Sequence, residues 1–280
     1  MQHKTIELDG DFSGVTLSYL DRGDPGTPPP VVCIHGLTRN ARDFDTLAEA
    51  LAGRGRRVLA VDVAGRGGSS WLPDPSQYDV KVYARHLRRF LELLGLKEVD
   101  WVGTSMGGLI GIEIASSEKS PIRRFVLNDI GPFVPQQALA MIRAYLGLDL
   151  RFEDIAELEA HLRYIHAGFG QLSDAEWRHM AVTSSRETEE GLRLHYDPLI
   201  REPFAEAAEH DIDMWRQWDR ITCPTFVLHG ADSPLLTRET IEEMKRRGPE
   251  PEVVSLPGVG HAPALNTQEQ IGIVARWLGL

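Results

Sequence analysis

The sequence predicts an α/β fold, a mostly parallel sheet with helices on both faces. Three observations carry that prediction. Short apolar runs alternate with segments of helical period, glycine or polar turns follow the apolar runs, and the alternation is interrupted once, between residues 133 and 211. Alternating strand and helix leaves a parallel order as the favoured topology, because each crossover needs a dozen or more residues.

The elements follow in order. "KTIELDG" and "VTLSYLDRG" have the length and spacing of two antiparallel strands joined through a glycine turn. "TPPP" then breaks the chain before the buried run "VVCIHG", and "DFDTLAEALAGRG" reads as an amphipathic helix closed by glycine. "RRVLAVDVAGRGGSS" is the next strand with its loop. In "YDVKVYARHLRRFLELLGL", Val80, Tyr83, Leu87, Leu91 and Leu94 fall on one helical stripe that Gly95 ends. "VDWVGTS", a helix over Met106–Ser117 and the strand "RRFVLNDIGP" complete the first half.

From Phe133 to Asp211 helical segments follow one another without a convincing strand, which predicts a helical cap over the carboxyl edge of the sheet. The sheet domain is then 1–132 with 212–280, and the cap is 133–211. The strand and helix pattern resumes at "TFVLHGADS" and closes with "TRETIEEMKRRG", "EVVSLPG" and "TQEQIGIVARWLGL".

Composition narrows the function. The net charge is −11 and no basic cluster is present, which argues against nucleic acid and anionic membranes as partners. The cap carries seven arginines against fifteen carboxylates, most of the excess negative charge. No apolar stretch is long enough to span a bilayer, and the start "MQHKTIELDGDFSG" lacks a signal pattern, so a cytoplasmic location is expected. Cys33 and Cys223 read as reduced core residues. The histidines never adopt metal-ligand spacing, so neither metal nor cofactor is expected.

Chemistry concentrates in loops at the carboxyl ends of strands. Gly103-Thr104-Ser105-Met106-Gly107 matches G-x-S-x-G between a buried strand and an apolar helix, the turn that exposes a nucleophilic serine. A serine hydroxyl needs a base, and the base needs an orienting acid. His261, in "LPGVGHAPALN", is the base expected from its place after the last strand. Two acids satisfy the order Ser, Asp, His: Asp232 in "VLHGADSPLL", the preferred one, and Asp129 in "VLNDIGP". The oxyanion donors expected are the backbone N–H groups of Met106 and, from "HGLTRN", Leu37. His35, His229 and Asp62 read as loop organisers, and Arg39 and Arg66 as residues able to meet a substrate carboxylate. Of the cap side chains, Leu139, Ile142, Leu146, Leu162, Ile165 and Phe169 are expected mostly to pack, with some lining an acyl pocket. Trp215 and Trp218 are placed either in the core or at the site, and Asp197 in a local cap contact.

"HGLTRNARDF", "VDVAGRGGSS", "GTSMGG", "HGADSPLL" and "GVGHAP", taken in order, resemble the signatures of the α/β-hydrolase superfamily over nearly the whole chain outside the cap. The resemblance implies a mostly parallel eight-stranded sheet with a helical lid. It also implies Ser105 as nucleophile, His261 as base, Asp232 as acid, and Leu37 and Met106 as oxyanion donors. A serine at position 105 separates the chain from haloalkane dehalogenases and epoxide hydrolases, and "HGGPG" and "HGGG" are absent. "LNDIGP" followed by "HYDP" is similar to bacterial carboxylesterases, some of which hydrolyse aliphatic polyesters. The expected function is serine hydrolysis of small to medium uncharged carboxylic esters by a monomer or small homo-oligomer. C–C hydrolases, lactonases and low-turnover ligand-binding members of the same fold are the alternatives.

Overall fold

The computed structural model describes residues 2–26, 29–148 and 150–280, so Thr27 and Pro28 of the "TPPP" break lie outside the described residues. In chain order the elements are β1 (Gln2–Glu7), β2 (Thr16–Arg22), β3 (Val31–Ile34), α1 (Asp45–Ala52), β4 (Val58–Val61), α2 (Val80–Leu93), β5 (Val99–Thr104), α3 (Met106–Ala115) and β6 (Ile122–Asn128). The chain then leaves the sheet through β7 (Phe133–Val134), α4 (Gln136–Arg143), α5 (Ile155–Ile165), α6 (Asp174–Ser184), β8 (Ser185–Thr188), β9 (Gly191–Leu194), α7 (Arg201–Ala207), β10 (Ile212–Asp213) and α8 (Trp215–Trp218). It returns with β11 (Thr225–Gly230), α9 (Arg238–Met244), β12 (Glu252–Leu256) and α10 (Gln268–Leu278).

Eight strands form one sheet in the order β1-β2-β4-β3-β5-β6-β11-β12. β2 is antiparallel to both its neighbours, and every other pair is parallel. The parallel strands are apolar on both faces, with the period of two that a pleat imposes. Val31 and Cys33 of β3 face a cluster with Leu47 and Leu51 of α1 and Ile271 and Val274 of α10. Val32 and Ile34 face the opposite cluster, with Leu87 and Phe90 of α2 and Ile110 and Ile114 of α3. Cys33 is fully buried, and both cysteines are free thiols.

The order β4-β3-β5 reverses direction at β3, so the loops after β3 and β5 open a crevice at the carboxyl edge. β6 and β11 are hydrogen-bonded neighbours, and the helical excursion leaves and re-enters between them. It contains strands that the sequence pattern does not predict. β8 and β9 form a hairpin that turns at Glu189 and Glu190 into Gly191, whose φ of 112° favours glycine, and β7 pairs with β10 where the excursion begins and ends. β8 and β9 are half-buried four-residue strands, too short and too mixed in polarity for an alternation to register. The hairpin begins as soon as α6 ends at Ser184.

Candidate active site

The turn from β5 into α3 places Ser105 at φ 51°, a left-handed conformation that a non-glycine residue adopts only when its surroundings enforce it. The flanking glycines are required by contact. A Cβ on Gly103 would lie 2.4 Å from the Gly107 carbonyl oxygen, and one on Gly107 would lie 2.1 Å from that of Ile34. α3 is buried on nearly every side, which explains its uniformly apolar sequence. Helix, strand and turn are thus clamped together, and the Ser105 hydroxyl projects at the sheet edge.

His261 follows β12 and brings its Nε2 to 2.8 Å from Ser105 Oγ. Its Nδ1 lies 2.8 Å from Asp129 Oδ2, so Nδ1 carries the proton and Nε2 is left as acceptor for the serine hydroxyl. The carboxylate that meets His261 is that of Asp129, not that of the preferred Asp232. Asp129 is completely buried at the end of β6, with φ 56°, and its Oδ1 accepts the Gly230 N–H at 2.7 Å. Asp232 is exposed, and its own N–H is bonded to the Val259 carbonyl. The difference is one of direction. The left-handed residue after β6 turns its carboxylate back toward the sheet edge, whereas Asp232 stands two residues beyond β11 in a turn facing solvent.

Both expected oxyanion residues lie at the crevice. Gly36 abuts Ser105, since a Cβ there would be 3.7 Å from the serine Cβ, and Met106 is the first residue of α3. Neither the Leu37 nor the Met106 N–H has an acceptor among the described residues. The helix dipole adds to the positive potential at Met106.

Residues that pattern reasoning did not single out hold this arrangement. Asn128 donates to Thr104 Oγ1 at 3.0 Å and to the Pro263 carbonyl at 2.8 Å, tying β5 and β6 to the His261 loop. The only signal for it was its place beside Asp129 at a strand end. Arg66 is fully buried, and rather than facing a substrate carboxylate it donates to the carbonyls of Leu37 and Ala64, both at 2.8 Å, and to the Tyr83 hydroxyl at 2.6 Å. Its remaining nitrogen approaches Met106 Sδ at 3.5 Å. Arg66 therefore touches both residues that carry the free N–H groups.

Other expected organisers are in place. His35 Nδ1 donates to Gly36 O at 2.7 Å and its Nε2 accepts the Val63 N–H at 3.0 Å. Burial, with Arg66 and Arg39 nearby, lowers its pKa to about 3 and keeps it neutral. Asp62 accepts from the N–H groups of Ala41 and Gly68, and burial raises its pKa. His229 bridges Ser255 and the Leu236 carbonyl. The Tyr78 hydroxyl donates to Asp197, which fastens the excursion to the sheet body.

A cavity of about 340 Å³ opens above Ser105 and His261. Ile142, Ile165 and Phe169 line it, whereas Leu139, Leu146 and Leu162 are buried in packing. Trp218 is also buried away from it, its Nε1 donating to the Arg247 carbonyl. Arg39 lines the cavity with its charge already engaged, by two bonds to Asp43 at 3.0 and 2.6 Å, and it donates to Ser184 Oγ at 2.9 Å. Among the described residues no cluster of His, Cys, Asp or Glu could hold a metal ion, and no helix is long and apolar enough to cross a membrane.

Comparison with known proteins agrees with this fold. The chain is 43% identical over 270 residues to the 3-hydroxybutyrate-oligomer hydrolase of Cupriavidus necator, covering 93% of this chain and 92% of that protein. A hydrolase from Rickettsia typhi superposes with a TM-score of 0.92 at 32% identity, over 100% of this chain and 99% of that one. An alpha/beta hydrolase from Novosphingobium aromaticivorans gives 0.87 at 33% identity, over 99% and 98% of the two chains. Residues 29–266, from just ahead of β3 to beyond His261, match the family model of the alpha/beta hydrolase fold, and the chain belongs to that family.

Proposed function

We propose that the chain is a serine ester hydrolase that works through an acyl-enzyme, with Ser105 as nucleophile, His261 as base and Asp129 as acid. The observation that carries this reading is the continuous relay Asp129–His261–Ser105, with both links at 2.8 Å. His261 takes the Ser105 proton as Oγ attacks the ester carbonyl carbon, and Asp129 holds the imidazole tautomer and stabilises the imidazolium. The carbonyl oxygen becomes an oxyanion, met by the N–H groups of Leu37 and Met106. His261 then protonates the leaving alcohol. Water, deprotonated by the same imidazole, cleaves the acyl-enzyme and restores Ser105. No cofactor is called for.

The substrates we infer are small to medium uncharged esters, admitted beneath the helical excursion acting as a cap. Two features support this class. Much of the cavity wall is aliphatic and aromatic, and its two guanidinium groups, Arg39 and Arg42, are paired with Asp43 and Asp45. The similarity to a 3-hydroxybutyrate-oligomer hydrolase draws the reading toward short aliphatic oligoesters. A C–C hydrolase acting on a dienoic keto-acid would need a free cation for the carboxylate, and Arg39 and Arg66 do not supply one.

The test is a p-nitrophenyl ester series of increasing acyl length, run with wild type and Ser105→Ala. Turnover that peaks at short acyl chains and vanishes in the variant is expected. Equal hydrolysis by both proteins would refute the assignment of the nucleophile.

A further inference from the structure

Most polar groups at the cavity have protein partners. Arg39 is engaged by Asp43 and Ser184, Arg42 pairs with Asp45 at 2.7 Å, and Asn266 donates to Glu176 at 2.8 Å. His179 Nε2 lies 3.0 Å from Asp45. Asp45 Oδ1 has no partner, and two neutral groups that the helical excursion contributes to the cavity are also left over. The Tyr145 hydroxyl, just beyond α4, makes no hydrogen bond among the described residues, although its side chain lines the cavity and is not exposed. His166, which ends α5, is 6% exposed, and its Nε2 has no hydrogen-bond partner. Its ring stacks on Phe169, with centroids 4.4 Å apart.

A buried polar atom without a partner, such as His166 Nε2, is uncommon and costly, so a partner is expected from what fills the cavity, which the unbonded Tyr145 hydroxyl also meets. Both groups are neutral hydrogen-bonding groups. Burial raises the Tyr145 pKa to about 12 and holds the phenol as a donor. Burial, reinforced by nearby Arg39, keeps His166 well below its usual pKa, leaving one ring N–H and one acceptor nitrogen. The cavity's carboxylates, Asp43, Asp45, Glu49 and Glu176, outnumber its arginines, Arg39 and Arg42, so an anionic acyl group is disfavoured. The segment bearing His166 is fastened to the catalytic loop, because the Gly260 N–H donates to the Gly168 carbonyl at 2.7 Å.

We propose that Tyr145 and His166 form a neutral subsite that hydrogen-bonds an uncharged oxygen on the acyl chain, which makes hydroxyacyl and oligoester acyl groups the preferred substrates. The inference rests on the ester-hydrolase reading and specifies its substrate class. An apolar pocket discriminates weakly against a chain lacking the oxygen. A pocket with two polar groups to satisfy discriminates strongly, since the unsubstituted chain leaves them unpaired.

The experiment compares kcat/KM for the ethyl esters of butyrate, 3-hydroxybutyrate, 3-acetoxybutyrate and monosuccinate, followed by pH-stat. Wild type is expected to favour the 3-hydroxy ester, the 3-acetoxy ester or both over butyrate by about tenfold or more. The hydroxy and acetoxy arms distinguish a chain-terminal hydroxyl from the ester oxygen of a next repeat unit. Tyr145→Phe keeps the ring and removes only the hydroxyl. It should lower the preference for the oxygenated esters several-fold, and His166→Phe should act in the same direction. Absence of any wild-type preference, an unchanged ratio in Tyr145→Phe, or preference for monosuccinate would each overturn the inference while leaving ester hydrolysis intact. Absence of turnover of all four esters by wild type would instead refute the ester-hydrolase reading beneath it.

Discussion

Replacing Asp129 by asparagine tests the relay with almost no change of shape. The native carboxylate is a double acceptor, taking the Gly230 N–H at 2.7 Å on Oδ1 and the His261 Nδ1–H at 2.8 Å on Oδ2. An amide has one acceptor oxygen. If that oxygen stays on Gly230, the NH₂ group faces His261, Nδ1 must become the acceptor, and the ring proton moves to Nε2. Nε2 then points a hydrogen at Ser105 and cannot take the hydroxyl proton. The opposite flip sets the NH₂ against the Gly230 N–H, two donors facing each other in a fully buried site. Either way the working tautomer is lost, and a fall of about 10⁴ in kcat is expected, or about 5.4 kcal/mol of transition-state stabilisation. KM should hardly move, because Asp129 does not line the cavity. The assay is initial-rate hydrolysis of p-nitrophenyl butyrate, with folding checked by circular dichroism. Exposed Asp232→Asn is the control and should stay within about twofold of wild type, as expected for a surface change. Asp129→Asn within tenfold of wild type, or a larger loss in Asp232→Asn, would show that the relay is assigned to the wrong carboxylate.

Three further outcomes follow from the same structure. Arg66→Met removes the donor that holds the Leu37 carbonyl and should lower kcat by about 10–100-fold more than any change in KM, with partial recovery in Arg66→Lys; unchanged kcat would dissociate Arg66 from the oxyanion residues. Gly107→Ala puts a Cβ 2.1 Å from the Ile34 backbone oxygen, so a loss of at least about 3 kcal/mol is expected by urea denaturation, and a variant within 1 kcal/mol of wild type would show that α3 can shift away. Acid should destabilise the fold between pH 6.5 and about 4: burial lowers His35 to about 3 and His86 to about 4 and depresses His166, so the unfolded chain takes up protons first, at a limiting slope of about 1.4 kcal/mol per pH unit for each histidine. Asp62, raised by burial, has the opposite sign above the usual carboxylate range, but it is one group against five, since burial also lowers His161 and His195. A urea midpoint higher at pH 5.5 than at pH 7 would contradict this balance.

Legibility in the sequence tracked the range of the forces involved. The sheet strands and their helices were readable because apolar period and capping act over a few residues, as in α2, where Asp79 caps Lys81 and Gly95 follows the end. Ser105 was readable because its glycine neighbours are obligatory at close contact. The acid was not, since Asp129 and Asp232 both follow a strand before His261 in order. What separates them is a φ of 56° and one hydrogen bond from Gly230, which is 101 residues away in the chain. Arg66 could not be decided for the same reason. A loop arginine at the active edge looks available to ligand until its guanidinium is seen to make four bonds, to two carbonyls, a phenol and a thioether.

An acid at the end of β6 also changes what the helical excursion does. The chain passes from Asp129 through Ile130, Gly131 and Pro132 directly into β7, so the acid and the root of the excursion are one segment. At its far side the excursion holds the base, through the Gly168 carbonyl on Gly260, beside His261. At its outer edge it meets the oxyanion loop twice, through Ser184 on Arg39 and the Thr183 carbonyl on Asn40. A further attachment runs to the segment of Arg66, where the Gly67 N–H donates to the His195 carbonyl and the Asp197 N–H to that of Gly65. An excursion joined to the segments of Asp129, His261 and Leu37 is not a free flap. Opening wide enough to strip the Gly168 and Ser184 contacts would also loosen the His261 and Leu37 loops.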